Sequence, residues 1–202
     1  NDLDFSGVNY DNVYATYHRF EGILDGGFHT IRNVTRNGSV SNGVALISIL
    51  SGTVKNLIIE DSSFENTNGA AGGITANLMN GGSIENVYVK NAKISGTTKV
   101  GGIAGGINGS EIVSNCAFEG EVSSISSSGN AYAGGLVGQT FYGKIINSYN
   151  MGSVYAKGGS SSKTYVAGIV NGGFSNAITN SYNIGQIIVD ENNISASYAG
   201  ID

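Results

Sequence analysis

The sequence predicts an all-β fold, a right-handed parallel β-helix (solenoid) of about six to seven coils of roughly 30 residues each. Three observations carry this prediction. An Ile/Val-x-Asn triplet recurs along nearly the whole chain, and two long segments align with each other without a gap. Short β-rich runs alternate with Gly, Asn and Ser, and no 3.6-residue apolar period is present, so helix content should be small.

The recurring triplet sets the length of the predicted coil. Its asparagines are separated by 23, 30, 29, 32 and 33 residues, which is the spacing of solenoid repeats. We predict that they form a structural ladder with one member in each coil: Asn33, Asn56, Asn86, Asn115, Asn147 and Asn180.

The last two repeats support the same period independently. Residues 133–154 align with residues 166–187 without a gap, and nine of the 22 positions are identical. Segments that begin at Val100, Ala71 and Gly43 follow the pattern with weaker similarity. The repeats therefore drift toward the N-terminus, as terminal coils often do.

Stacked coils place equivalent positions of the repeat above one another, and this predicts which side chains form the core. Strands of about four to six residues should lie about 4.8 Å from their copies in the next coil. The positions two before, one after and three after each asparagine should point inward; in two successive coils they are Val54, Leu57 and Ile59, then Ile84, Val87 and Val89.

The asparagine ladder is predicted to hold buried corners and to bind no ligand. Asparagine tolerates left-handed backbone geometry, and its amide both donates and accepts hydrogen bonds. A second corner is predicted five residues later, where glycine accepts positive φ without steric cost. This corner is occupied by Gly120, Gly152 and Gly185.

Composition and charge exclude several classes of function. The chain has 32 glycines and no proline among 202 residues, and its net charge is −5 with a charged fraction of 12%. That surface is too acidic and too weakly charged to bind phosphate, so nucleic acid is not an expected partner. No apolar run approaches the roughly 20 residues of a membrane span, so this segment should not insert into a membrane.

No linker or composition shift divides the chain, so one domain is predicted over residues 1–202. Residues 1–42 form a first coil, residues 43–198 the repeated coils, and residues 199–202 the start of an incomplete coil. The chain begins and ends within the pattern, which suggests a fragment of a larger protein. Its open last coil should make edge-to-edge contact with a neighbouring molecule or a cap.

Two glycine-rich segments carry a resemblance to a known repeat. They are Gly134–Gly138 followed by Gly143–Tyr149, and Ala167–Val170 followed by Ile178–Tyr182. These segments resemble the GLUG repeat of bacterial cell-surface and secreted proteins, and Phe20–Val34 resembles the coil that precedes such repeats. The resemblance implies a right-handed β-helix, as in adhesins and the non-catalytic parts of secreted immunoglobulin A proteases. It implies an extracellular or bacterial cell-surface location and carries no catalytic residue.

Phe28 and Cys116 each allow a specific structural prediction. Phe28 stands where the repeat family commonly has glycine, and we expect it to pack on the first coil. Cys116 is the only cysteine, so an internal disulfide is impossible. It follows the ladder asparagine, where other coils have small or aliphatic residues, and a buried thiol is expected there.

Candidate catalytic and metal-binding groups are few. Glu119 and Glu121 share a coil beside Lys90 and Lys93, and surface ion pairing explains this arrangement better than an acid pair or a bound cation. The two histidines, His18 and His29, do not have a recognised metal-ligand spacing. No catalytic residue, metal or cofactor is therefore assigned.

Tyrosines supply the one binding hypothesis. A first set precedes the double glycine, and a second set lies two residues after the ladder asparagine. The two columns are Tyr132, Tyr165 and Tyr198, and Tyr88, Tyr149 and Tyr182. If they face solvent, their rings could contact sugar rings; alternatively, they stack on one another and cover the flank of the helix. Serine-rich loops flank them at residues 123–130, 158–164 and 190–197.

Two functional hypotheses follow. The first is a non-catalytic extracellular module that serves as a stalk or adhesion segment of a larger bacterial surface or secreted protein, with a glycan or a host surface protein as ligand. The second is a carbohydrate-active β-helix enzyme resembling polysaccharide lyases or hydrolases. Since no column of carboxylates is convincing, the sequence favours the first.

Overall fold

The computed structural model describes residues 1–8, 19–172, 177–190 and 196–199. Within these residues all regular structure is β-strand, and 25 strands form three sheets in which neighbouring strands pair in parallel. The predicted all-β parallel solenoid is therefore confirmed, with about six turns. The right-handed sense of the coils and the single-domain boundaries stay predictions.

The largest sheet, called sheet A, contains fourteen strands and supplies the longest side of each coil. Its strands are β1 (Leu3–Asp4), β3 (Ile23–Arg32), β4 (Thr35–Gly38), β6 (Thr53–Glu60), β7 (Ser63–Asn66), β10 (Ser83–Gly96), β13 (Ile112–Ser114), β14 (Ala117–Ile125), β17 (Lys144–Ile146), β18 (Tyr149–Asn150), β19 (Ser153–Lys157), β22 (Ala177–Thr179), β23 (Tyr182–Asn183) and β24 (Ile187–Val189).

Two smaller sheets complete the coil. Sheet B has six strands: β2 (Arg19–Phe20), β5 (Ile47–Leu50), β9 (Thr75–Leu78), β12 (Ala104–Ile107), β16 (Val137–Thr140) and β21 (Val170–Gly172). Sheet C has five strands: β8 (Ala71–Gly72), β11 (Lys99–Gly101), β15 (Ala131–Gly134), β20 (Thr164–Ala167) and β25 (Ala196–Ala199). The chain passes from sheet C to sheet B through the double glycine, then along sheet A, and returns to sheet C one coil later.

The core lies between the sheets and consists of the predicted inward columns. Val54, Leu57 and Ile59 are at most 2% exposed, and so are their partners one coil later. The residues between them are only partly buried, as expected for strands with one face inward. The largest fully buried side chains are Phe64 and Phe118. The core is therefore a continuous aliphatic column along the axis.

The asparagine ladder adopts the predicted backbone geometry but is not buried. All six asparagines have left-handed φ angles between 48° and 59°. Their side chains are half-buried or exposed, since the corner points them outward. The amide of Asn86 donates to Asn56 at 3.0 Å, and Asn147 and Asn180 each donate to the preceding ladder member at 3.2 Å. The ladder is therefore an external row of amides, and the prediction of buried corners is wrong.

Asn33 belongs to a different ladder from the other five. Arg32 pairs with Glu60, which places Asn33 beside Asp61 and Asn91, and all three have left-handed φ. The side chain of Asn33 donates to Asp4 at 2.9 Å. The position predicted for Asn33 is taken by Asp25, whose carboxylate accepts the amide of Asn56 at 3.0 Å. This carboxylate also accepts the N–H of Gly27 at 3.0 Å, as expected for an Asp-Gly-Gly turn.

The second predicted corner has a different physical basis from the one expected. Gly120 has a φ of +151°, but Gly152 and Gly185 do not have positive φ. At Gly152 an added Cβ would lie 2.6 Å from the carbonyl oxygen of Gly120, and at Gly185 one would lie 2.0 Å from that of Gly152. Glycine is therefore required at these two positions because one coil stacks closely on the next. The backbone there does not need a conformation that only glycine adopts.

Phe28 does not pack on the first coil. It has a left-handed φ of 63°, follows Gly27 with a φ of 55°, and is 67% exposed. These two left-handed residues bulge the strand, since the register between β3 and β6 shifts between Asp25 and His29. The bulge turns the ring outward, so the packing prediction is wrong.

Cys116 is the expected small buried thiol. It is 1% exposed, and its Sγ donates to the carbonyl of Ser114 at 3.1 Å. Its backbone N–H donates to the hydroxyl of Ser148, the residue at the same position one coil later, at 3.0 Å. Burial raises the pKa of the Cys116 thiol to about 12.

This pKa predicts a pH-dependent stability. An unfolded thiol ionises near its usual value of 9.0, so the folded chain holds more protons between about pH 9 and about 12. The contribution of the thiol is full below about pH 9 and is lost as pH rises toward about 12, which amounts to about 1 kcal/mol by about pH 10.

Urea titrations of the wild type and of Cys116→Ala at pH 7.5 and 10 measure this effect. We expect the stability advantage of the wild type over the variant to shrink at the higher pH. Tyrosine and lysine ionisation affects both proteins equally and cancels in the difference. An advantage that is the same at the two pH values would contradict the prediction.

Candidate binding surface

One predicted tyrosine column lies on the outer face of sheet C. Tyr132 pairs with Tyr165 in neighbouring coils, and their rings are parallel within 1° with centroids 4.6 Å apart. Both side chains are half-buried, and their strand neighbours Ala131 and Ala133 are fully buried. The two tyrosines therefore stack on one another, as the alternative in the sequence analysis stated, and still present their edges to solvent.

Tyr198 does not continue this column. The backbone of Tyr198 pairs with Val166, and Ser197 pairs with Tyr165. The side chain of Tyr198 lies outside the described residues. The prediction of a three-membered column is wrong by one residue in register, because the chain from Val189 to Ala196 is one residue shorter than the equivalent stretch from Ala156 to Thr164.

The second predicted column lies on sheet A and is interrupted. Tyr149 and Tyr182 stack with centroids 5.2 Å apart and planes within 5°, and Tyr182 is 50% exposed. Tyr88 is in the same column, but Ala117 occupies the coil between Tyr88 and Tyr149. The hydroxyl of Tyr88 donates to Glu119, which lies on the same strand as Ala117. Burial, together with this hydrogen bond to Glu119, raises the pKa of Tyr88.

Lys99 continues the sheet C column on the other side of Tyr132. Its strand pairs with that of Tyr132, but its side chain leans toward sheet B, where a Cβ at Gly106 would lie 3.2 Å from its Cδ. The Nζ atom lies 5.9 Å from the centre of the Phe141 ring. Lys99 is half-buried, and burial lowers the pKa of its amine.

The loops between sheets A and C stack at one corner, as predicted. Gly159 donates its N–H to the carbonyl of Gly129 at 3.1 Å, and the hydroxyl of Ser162 donates to the backbone carbonyl of Ser128 at 3.1 Å. The N–H of Lys163 donates to the side chain of Asn130 at 2.9 Å. Residues 191–195 of the third predicted loop lie outside the described residues. The first two loops thus form one ordered surface beside Tyr132 and Tyr165.

The acidic residues of the predicted cluster are engaged in pairs. Lys93 lies 3.7 Å from Glu121, whereas Lys90 pairs with Glu60 at 2.9 Å and Glu119 accepts the hydroxyl of Tyr88. Asp25 pairs with Lys55 at 3.4 Å. The hydrogen bond from Asn56 holds the pKa of Asp25 below its usual value. These contacts fit the ion pairing that the sequence favoured.

The histidines and the N-terminal end provide no assembled site. His29 lies 3.4 Å from Asp2, and His18 lies outside the described residues. Among the residues that the structure describes, no three histidine, cysteine or acidic side chains are grouped to hold a metal.

A cavity of about 410 Å³ opens where the core ends, lined by apolar side chains that include Phe5, Phe20 and Leu46. Across the same described ranges, no helix could cross a bilayer.

Comparison with protein families identifies the repeat. Residues 129–155 match the family model described as the GLUG motif. The chain carries a GLUG motif. The match contains β15 to β18 and most of β19, which is the greater part of one coil, and it includes both Tyr132 and Tyr149. The resemblance stated from the sequence is confirmed.

Two further proteins are similar to the GLUG-containing chain. Halomucin of Haloquadratum walsbyi is 39% identical over 88 residues, which is 42% of this chain and 1% of halomucin. The chain thus spans about one hundredth of the length of this relative. A crystal structure from Bacteroides ovatus, provisionally named an immunoglobulin A1 protease, superposes with a TM-score of 0.73 at 21% identity. That match covers 100% of this chain and 72% of the other, and it shows a shared fold.

Sequence reasoning missed Lys99 and the hydrogen-bonded pair of the fully buried Asn150 and the half-buried Asn183. The alignment of Val100 with Ala133 already placed Lys99 at the position of Tyr132. The Ser-Tyr-Asn triplet repeated at residues 148–150 and 181–183 marked the asparagine pair. Both signals were present, but neither indicated which way the side chain would point.

Proposed function

We propose that the chain is a non-catalytic extracellular β-helix module of a bacterial surface or secreted protein, serving as a stalk or adhesion segment that binds glycan or a host surface protein. The observation that supports this most directly is the pairing of tyrosines in register on two outer faces, Tyr132 with Tyr165 and Tyr149 with Tyr182. Aromatic edges and hydroxyls presented by a rigid sheet suit contact with sugar rings. The GLUG motif and the similarity to halomucin support a surface or secreted location.

The stalk function is supported by the regular stacking of coils. Each coil makes parallel backbone pairs with the coils above and below, and the core runs along the axis without interruption. Solenoids of this kind behave as rods whose length grows with the number of coils. The last described coil leaves Ile178 38% exposed, whereas Ile145 in the same column is fully buried. We include edge-to-edge contact at this end in the proposal.

Binding to immobilised glycans tests the proposal. The wild type, the double variant Tyr132→Ala/Tyr165→Ala and the control Tyr155→Ala would be applied to an array of neutral and acidic oligosaccharides. Tyr155 is a half-buried tyrosine on the outer face of sheet A that forms no stacked pair among the described residues. Circular dichroism would confirm that all three proteins keep their β-structure.

We expect the wild type and the control to bind at least one glycan, and the double variant to bind at least about tenfold more weakly. Equal binding by all three proteins would contradict the role of Tyr132 and Tyr165, and no binding by the wild type would contradict the glycan function. Release of new reducing ends or unsaturated products from a bound polysaccharide would instead support the enzyme hypothesis. Mass spectrometry after overnight incubation detects either product.

A further inference from the structure

Most lysines of this acidic protein form ion pairs with carboxylates. Lys99 forms none within the described residues, and it is half-buried. Four lysines form ion pairs among the described residues: Lys55, Lys90, Lys93 and Lys157. Lys99 takes part in no ion pair and donates no hydrogen bond within the described part of the chain, although it is half-buried. Its ammonium is partly desolvated, and the Phe141 ring 5.9 Å from Nζ is the charge-stabilising contact found within the described residues. The charge of Lys99 is therefore available to an anion.

Strand pairing places Lys99 beside one face of Tyr132. Tyr132 stacks on Tyr165 through one face only, and among the described residues no ring contacts its other face, which points toward the coil of Lys99. The Lys99 stem leans over Gly106 instead of continuing the stack. Since coils lie about 4.8 Å apart, a sugar ring stacked on this face of Tyr132 would lie at the level of the Lys99 strand.

The polar groups at this position suit a carboxylate. The Lys99 stem lies over Gly106, and its Nζ atom is 5.9 Å from the centre of the Phe141 ring. Gln139, paired with Gly106 in the next coil, is half-buried and makes no side-chain hydrogen bond within the described residues. An ammonium, an amide and a tyrosine face together match a ring that carries a carboxylate and hydroxyls.

We propose that Lys99, Tyr132 and Gln139 form a binding site for an acidic sugar, with the sugar ring on the free face of Tyr132 and its carboxylate on the Lys99 amine. This inference rests on the proposed glycan-binding function and names the ligand class for one of its surfaces. The charge is supplied by Lys99, the stacking surface by Tyr132, and a hydroxyl contact by Gln139.

Matched pairs of ligands test the charge requirement. Hexagalacturonate would be compared with its methyl-esterified form, and sialyllactose with lactose, by isothermal titration calorimetry at 20 and 300 mM NaCl. The proteins would be the wild type, Lys99→Gln, Tyr132→Ala and the control Lys144→Gln. Lys144 is an exposed lysine on sheet A that is also absent from the ion pairs of the described residues.

We expect at least one acidic ligand to bind the wild type about tenfold or more tightly than its neutral partner, and this preference to fall at high salt. Lys99→Gln should abolish the preference and leave neutral binding unchanged, Tyr132→Ala should weaken both, and Lys144→Gln should change neither. Equal affinity for acidic and neutral partners overturns the acidic-sugar site, while loss of both in Tyr132→Ala retains the glycan function. No binding of any ligand by the wild type overturns both proposals.

Discussion

Replacing Gly135 by alanine is expected to destabilise the chain by about 3 kcal/mol or more, because the added methyl group has no space. An added Cβ would lie 2.1 Å from the carbonyl oxygen of Gly168 and 2.4 Å from the amide of Asn150. The first contact is with backbone of the next coil, so a rotamer change cannot relieve it. Urea unfolding followed by circular dichroism measures the loss.

Gly129→Ala is the matched control in the same coil. Its Cβ would meet only the hydroxyl of Ser126 at 3.3 Å, a side chain that can rotate, and its φ is not positive. We expect a change of about 0.5 kcal/mol or less for this variant. A loss of stability for Gly135→Ala as small as that for Gly129→Ala would show that the double-glycine corner tolerates a side chain. It would also show that the coil spacing at Gly135 is not limiting.

Asn150→Ala is expected to cost about 2 to 4 kcal/mol, since Asn150 is a fully buried amide whose bonds have no replacement. Its oxygen accepts the N–H of Gly152 at 2.9 Å, and its nitrogen donates to the carbonyl of Gly152 at 3.0 Å and to Asn183 at 2.7 Å. Alanine leaves both groups of Gly152 unsatisfied and opens a cavity beneath Gly135. Thermal and urea unfolding both report this loss.

Asn147→Gly, three residues away, provides the comparison. Asn147 is exposed and has a φ of 50°, which glycine adopts freely, so the variant removes two exterior amide bonds without backbone strain. We expect a loss below about 1 kcal/mol. If Asn147→Gly costs as much as Asn150→Ala, burial does not distinguish the two asparagines and the external ladder contributes more than its exposure implies.

The repeat period and the inward columns could be predicted because stacking forces equivalent residues into one line. The positions of Val54, Leu57 and Ile59 follow from that rule alone, and so does the buried Cys116. Asn33 was misplaced because the N-terminal coil builds its corner from Asp25 and two glycines. The separation of 23 residues from Asn33 to Asn56, shorter than every other interval, was the available sign.

The candidate site was less predictable because it depends on strand register and on the directions of side chains, which residue spacing alone does not determine. A constant spacing placed Tyr198 in the column of Tyr165, but β25 pairs with β20 one residue out of that register. The lean of Lys99 follows from the close approach of sheets B and C near Gly106, which involves residues from two sides of the coil. The free face of Tyr132 exists only as a result of that lean.

The amides of the external ladder point in one direction. In the described contacts the amide nitrogen of the later coil donates to the oxygen of the earlier one, at Asn56, Asn86, Asn147 and Asn180. Asn56, Asn115 and Asn147 each offer the next ladder member the same side-chain amide oxygen as acceptor. Addition or removal of one whole coil would therefore preserve the donor and acceptor order of this ladder.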